Sequence, residues 1–396
     1  MSTSRIHLHA SDVQGLSLLT IEGVTGTAAL VEQLHYAIAR VSGPTLPARD
    51  GRMRGISGMV YRSIHGISRL VGHSIDFGFR QIVPRLPSAA STPQRDRFLA
   101  IVNGVLGDHL EAEDNPLALP MQIRHRGRAL ANDFRLWPSE LSAPCRKRVV
   151  FIHGLCMTDH DWAELASKVE QVDDATPVQL FYNSGRSIAR NGQELANLLE
   201  TLVGSRPEAS EELVLIGHSM GGLLARSAVH HGLLAGQVWT DRLSRLITLG
   251  SPHHGAPLER IGYQVDRALA LTPFSRPFTR LGRIRSDGIL DLRDGRLFES
   301  TLPDEQPAAS VDTDALLPPQ VRIYAIAGTL ADKARGLKSA TLGDGLVTVD
   351  SALGQRLPDH QRPPHQRQKV MTQTGHLGLL SHPGVGRQII EWLQDD

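Results

Sequence analysis

The chain has 396 residues, with 42 Lys and Arg against 41 Asp and Glu and a formal net charge of +1. That length exceeds what one hydrophobic core fills and predicts a main domain of about 250 residues plus an appended one; the balanced charge excludes a global field that would draw the molecule to nucleic acid. Cys145 and Cys156 are too few for a disulfide framework and lack the Cys/His spacings of a zinc site, so neither metal nor cofactor is expected.

The first stretch, "MSTSRIHLHASDVQGLSLLTIEG", lacks the basic start, unbroken apolar run and cleavage site of a secretory signal. No segment approaches the roughly 18 uncharged apolar residues of a membrane span. The expected location is the cytoplasm. Residues 1–118 are expected to form a helical accessory region, because Ala28–Val41, Ile56–Val83 and Arg95–Leu110 carry apolar residues three and four apart. In the second of these, Ile56, Met59, Val60, Ile64, Ile67, Leu70, Val71 and Ile75 share a face, while five glycines from Gly55 to Gly78 weaken the isolated helix. Each glycine costs up to about 1 kcal/mol relative to alanine, so packing or a surface must support the segment. Between Arg49 and Arg85 stand seven arginines and two aspartates, a local excess of five positive charges. Two readings stand for residues 49–85: a basic amphipathic segment lying on a membrane or lipid body, or a helix docked on the main domain with its arginines in water.

After "DNPLALP" the pattern changes. "MQIRHRGRAL" and "KRVVFIHG" read as strands, followed by the helix of "DWAELASKVEQV". Then come the strand of "TPVQLFYNSG", the helix of "SIARNGQELANLLETLV", and "ELVLIGHS" leading into the helix of "GGLLARSAVHHGLL". "RLITLGSP", "QVRIYAIAG" and "QKVMTQTG" complete the strands. Strands alternating with helices imply an α/β fold, a mostly parallel doubly wound sheet covered on both faces. The stretch 256–318 interrupts the alternation and reads as a cap or lid insert.

Gly217, His218, Ser219, Met220 and Gly221 form a G-x-S-x-G pattern at a strand-to-helix junction. Small residues at both glycine positions let the chain turn tightly and hold Ser219 strained, its hydroxyl exposed above the sheet. The N–H of Met220 then lies at a helix N-terminus, where developing negative charge is favoured. A serine hydroxyl needs a base, and the base needs an acid to fix its tautomer. Asp332, Asp344, Asp350 and Asp359 are the candidate acids after "VRIYAIAG"; His360, His365, His376 and His382 lie beyond all of them.

Taken together, "VVFIHGL", "GHSMGG", "LGSPHHGAP", "GDGLV" and "TGHLGLL" make residues 119–396 resemble an α/β-hydrolase of the bacterial lipase and esterase type, related to the GPI inositol-deacylase-like group. The resemblance implies an α/β-hydrolase catalytic domain over 119–396 and the chain order serine, acid, histidine. It implies Asp344 as the acid, with Asp332 the rival, and His376 as the base. It also implies an oxyanion hole made by the backbone N–H groups of Leu155 and Met220, with His153 bonding the loop backbone. "HLGLLSHPG" offers no carboxylate for the calcium that secreted bacterial lipases bind after the histidine, so calcium is not expected. The expected function is hydrolysis of carboxylic or lipid esters through an acyl-enzyme. An acyltransferase or polyester depolymerase on the same triad is the alternative, and a non-catalytic lipid-surface scaffold is the alternative of a different class.

Overall fold

The computed structural model describes residues 8–42, 55–82, 91–133, 136–138, 141, 145–205, 211–257, 262, 286–298, 317–318, 320–334, 342–355 and 367–395. They divide into two compact units, Met1–Arg95 with Ala112–Leu117, and Asp96–Glu111 with Ala118–Asp396.

The first unit is built on two long helices, α1 (Ala10–Ser42) and α2 (Gly55–Ile82). Asp12 starts α1: its carboxylate accepts from the His9 N–H at 2.8 Å and from both ends of the Arg95 guanidinium at 2.6 Å. Burying that carboxylate is tolerable because it is charge-paired and hydrogen-bonded. Asn115 closes the unit, its amide donating to the Gly15 carbonyl at 3.2 Å.

Residues 96–111 belong to the second unit. Helix α3 (Pro93–Ala112) has a run of buried side chains from Phe98 to Leu106. Asn103 accepts from the Leu119 N–H at 2.9 Å, Gly104 accepts at its carbonyl from Ser286 Oγ at 2.8 Å, and Gly107 accepts at its carbonyl from Asn183 Nδ2 at 2.8 Å. A Cβ on Gly107 would stand 1.8 Å from Asn183 Oδ1, so only glycine allows this approach. Periodicity alone could not show it, since such a glycine reads in a sequence as a weakness of the helix.

The sheet has the strand order β2-β1-β4-β3-β5-β6-β7-β8. The strands are β1 (Gln122–His125), β2 (Arg128–Ala129), β3 (Lys147–Ile152), β4 (Ala175–Phe181), β5 (Glu212–His218), β6 (Leu243–Leu249), β7 (Arg322–Gly328) and β8 (Arg367–Met371). "MQIRHRGRAL" is a hairpin rather than one strand, with β1 antiparallel to both β2 and β4. From β4 to β8 all pairs are parallel.

Alternate residues of each central strand feed opposite layers, as the two-residue period of a strand requires. Val150, Ile152, Leu213, Leu215 and Leu246 pack with Leu195, Leu199 and Leu202 of α5 (Ile188–Gly204) and Leu224, Ala225 and Ala228 of α6 (Met220–Leu234). On the other face Val149, Phe151, Val214, Ile216 and Ile247 pack with Leu165 and Val169 of α4 (Ala163–Val169). That layer is completed by Val385, Ile389 and Trp392 of α8 (Pro383–Gln394). Helix α7 (Asp287–Asp294) lies in the described part of the expected insert; its Asp291 accepts from the Ile188 N–H at 2.8 Å. Most of 256–318 lies outside the described residues.

Candidate active site

β3 and β5 are neighbours in register, Ile152 beside Gly217. The chain leaves β3 toward β4 on one side and leaves β5 toward β6 on the other, so the order reverses between them. Crevices at such reversals, outside the carboxyl ends of the strands, are where open α/β sheets bind ligands. The "HGL" loop follows β3, and Ser219 follows β5.

Ser219 is the single residue between β5 and α6, at φ 54° and ψ −124°. A non-glycine residue with positive φ costs about 1–3 kcal/mol and persists only where its surroundings fix it. Here the Ser219 N–H donates to Leu249 O at 2.9 Å and its carbonyl accepts from the Gly222 N–H at 3.1 Å. The flanking glycines are required by space. A Cβ on Gly217 would lie 2.4 Å from the backbone of Gly221, and one on Gly221 would lie 2.1 Å from Ile152 O. Ser219 is 4% exposed, so it stands beneath the surface rather than on it. The turn's close packing against the loop after β3 causes this, since a Cβ on Gly154 would be only 3.1 Å from Ser219 Cβ.

His376 Nδ1 and Asp344 Oδ2 are 2.7 Å apart. The Asp344 carboxylate also accepts from the N–H groups of Leu346 at 3.0 Å and Val347 at 2.8 Å, and its own carbonyl accepts from the His376 N–H at 3.0 Å. Gly343 and Gly345 bracket it at φ 53° and 95° and let the loop fold back on the histidine. Burial alone would raise the Asp344 pKa; the charge and hydrogen bond of His376, with the two backbone N–H groups, outweigh burial and hold it below its ordinary value. With Nδ1–H committed to the carboxylate, His376 keeps a free lone pair at Nε2.

His376 reaches the Ser219 turn through two contacts. Its carbonyl accepts from His218 Nε2 at 3.0 Å, and a Cβ on Gly250, next to Leu249, would be 3.3 Å from His376 Cε1 and 3.1 Å from Asp344 Oδ2. Among the described residues no hydrogen bond joins Ser219 Oγ to His376. The rival acid Asp332 is exposed and accepts from Gln373 Nε2 at 3.0 Å, away from the histidine.

The N–H of Met220 belongs to the first residue of α6, where a helix has no internal acceptor to offer. The N–H of Leu155 follows Gly154 in the loop packed on Ser219, and among the described residues neither N–H has a protein acceptor. That loop is held from below. His153 Nδ1 donates to Gly154 O at 2.8 Å, its ring stacks on Tyr182 at 4.4 Å, and the Tyr182 hydroxyl donates to His153 O at 2.9 Å. Cys156 N–H donates to Ser184 Oγ at 3.1 Å.

Residues 146–275 match the family model described as PGAP1-like alpha/beta domain. With the strand order and the serine turn, this decides the fold. The second unit has an α/β-hydrolase fold. Similar solved structures include the mature Bacillus licheniformis lipase BlEst2, at 20% identity over 63% of this chain and 92% of that one, with a TM-score of 0.43. The product of gene lin2722 from Listeria innocua aligns at 16% identity over 63% and 95% of the two chains, with a TM-score of 0.40. The RedJ thioesterase of the prodiginine pathway of Streptomyces coelicolor aligns at 17% identity over 64% and 90%, with a TM-score of 0.36. No curated protein matches the chain by sequence.

Two features of this unit escaped the sequence. His218, inside the serine motif, is fully buried and bonds the backbone of His376 rather than a side chain. Its position next to Ser219 was the available clue. The other is an ion cluster: Arg124 Nη1 lies 3.0 Å from Asp96 Oδ2 and 3.3 Å from Asp159 Oδ1, and His160 Nε2 lies 3.1 Å from Asp96 Oδ2. Asp96, Asp159 and His160 are close enough to share a cation. The Arg124 guanidinium already supplies positive charge there and stacks 3.9 Å above the Phe181 ring, so the cluster reads as a strut between α3, β1 and the "TDHDW" loop.

The buried histidines predict an acid-sensitive fold. Burial lowers the pKa of His153 from 6.5 to about 4 and that of His218 to about 3. Burial, reinforced by Arg226, holds His253 well below its ordinary value. Their unfolded forms take up protons first, so their stabilisation is complete above the unfolded pKa of 6.5 and is lost as pH falls toward 4. Asp291, raised by burial to about 6, and Asp159, raised by burial, act in the opposite sense. The denaturant midpoint is expected to fall steadily from pH 6.5 to pH 4; a flat or rising profile over that window would contradict these protonation states.

Proposed function

We propose that the chain is a serine hydrolase of carboxylic esters, with Ser219 as nucleophile, His376 as general base and acid, and Asp344 as the group that orients and charges the histidine. The observation that carries this reading is the 2.7 Å bond from His376 Nδ1 to Asp344, which leaves Nε2 free to accept, on a histidine whose carbonyl is bonded to His218, the residue before the serine held at positive φ. Ser219 Oγ attacks the ester carbonyl carbon while its proton passes to His376 Nε2. The carbonyl π electrons move onto oxygen, and the backbone N–H groups of Leu155 and Met220 receive that charge. Losing one donor of this type costs about 2.7–4 kcal/mol in a comparable site. The intermediate collapses, the C–O bond to the alcohol breaks, and His376 returns the proton to the leaving oxygen. Water then repeats the sequence on the acyl-enzyme and releases the acid.

Incubation with a fluorophosphonate probe is expected to place one adduct on the peptide containing Ser219, and p-nitrophenyl esters of graded chain length are expected to be hydrolysed. Absence of both labelling and turnover would remove the proposal.

A further inference from the structure

Helix α2 is inside out. His65 and Asp76, eleven positions apart and therefore on one side of the helix, point at α1: His65 Nε2 lies 3.7 Å from Glu32 Oε2, and Asp76 accepts from Gln14 Nε2 at 2.7 Å. The opposite side carries Met59, Val60, Ile67, Leu70, Val71 and Phe77, all exposed. At about 100° per residue these six fall within an arc of about 120° centred roughly opposite His65 and Asp76. Ile67, Leu70 and Phe77 are 63%, 67% and 68% exposed. A helix packed on α1 by its apolar stripe would show the reverse, with the stripe toward Glu32 and Gln14 and the polar side outward.

The charge around the stripe says what covers it. The segment from Arg49 to Arg85 holds seven arginines and two aspartates while the whole chain has a net charge of +1. Arg62 is exposed on the flank of the stripe, and Arg69 and Arg80 repeat its helical position seven and eighteen residues on. Two copies of so basic a segment would repel each other across a shared apolar interface, whereas anionic lipid headgroups would neutralise it. No described helix is long and apolar enough to cross a membrane. We propose that α2 is a surface anchor, lying in the plane of an anionic phospholipid bilayer with Ile67, Leu70 and Phe77 among the acyl chains and its arginines at the phosphates.

The test uses the full chain in flotation with vesicles of phosphatidylcholine alone and of equal parts phosphatidylcholine and phosphatidylglycerol. The wild type is expected to float with the anionic vesicles, and less so as salt is raised. The Ile67→Ser, Leu70→Ser, Phe77→Ser triple variant is expected to lose binding by at least about tenfold, and Arg62→Glu by about tenfold on anionic vesicles only. All three positions of the triple variant are exposed, so it should fold and keep wild-type turnover of a soluble ester. Failure of the wild type to float, or flotation of the triple variant at the wild-type level, would overturn the anchor. So would a dimer that the triple variant converts to monomer without any vesicle binding, since the stripe would then be a self-association face. None of these outcomes depends on Ser219, so the anchor and the hydrolase reading fail separately.

Discussion

Ser219→Ala is expected to lower ester turnover by about 10⁶-fold, because nucleophile and base act as one unit and removing either forfeits nearly the whole covalent route. The residual rate would come from the oxyanion donors alone. Stability should barely change. Alanine keeps the Cβ and therefore the strained φ of 54°, and among the described residues Ser219 Oγ has no hydrogen-bond partner to orphan. The change should therefore stay within the roughly 0.5 kcal/mol typical of substitutions that break no packing or network. Turnover of a p-nitrophenyl ester, fluorophosphonate labelling and a thermal midpoint together check this. Undiminished labelling would reassign the nucleophile, and a collapsed midpoint would mean that the hydroxyl has a structural duty.

Some of this was legible in the sequence because it is local. The strands β3 and β5 are buried on both faces, so they read as the apolar runs Val149–Ile152 and Leu213–Ile216, and the Ser219 turn is written in two glycines whose absent side chains make room for backbone. The loop of Asp344 was legible for the same reason, since positive φ at Gly343 and Gly345 leaves a chemical trace. What depends on distant chain was not legible. The glycine at 107 is a contact with Asn183 across 76 residues, and no helical period reveals such a partner. Likewise the apolar stripe of α2 was visible, but a stripe does not say which side faces the neighbour. Glu32 and Gln14 on α1 decide that.

The choice of acid is where sequence and geometry can be separated by experiment. Asp332 stands four residues beyond the last residue of β7 and Asp344 sixteen, so distance along the chain alone favours Asp332, whereas the bond to His376 favours Asp344. Asp344→Asn is expected to reduce kcat/KM by about 10⁴-fold. The new amide can still accept from the Leu346 and Val347 N–H groups through its oxygen, as the carboxylate does now. That leaves its NH₂ facing His376 Nδ1, which must then accept, so the ring proton moves to Nε2 and the base is lost while the loop keeps its shape. Asp332→Asn removes only a charge at an exposed position whose carboxylate meets Gln373, and turnover should stay within about twofold of wild type. Comparing the two variants at neutral pH therefore distinguishes loss of a base from loss of a surface contact. A large deficit in Asp332→Asn with normal activity in Asp344→Asn would mean that the histidine takes its partner from the other loop during turnover.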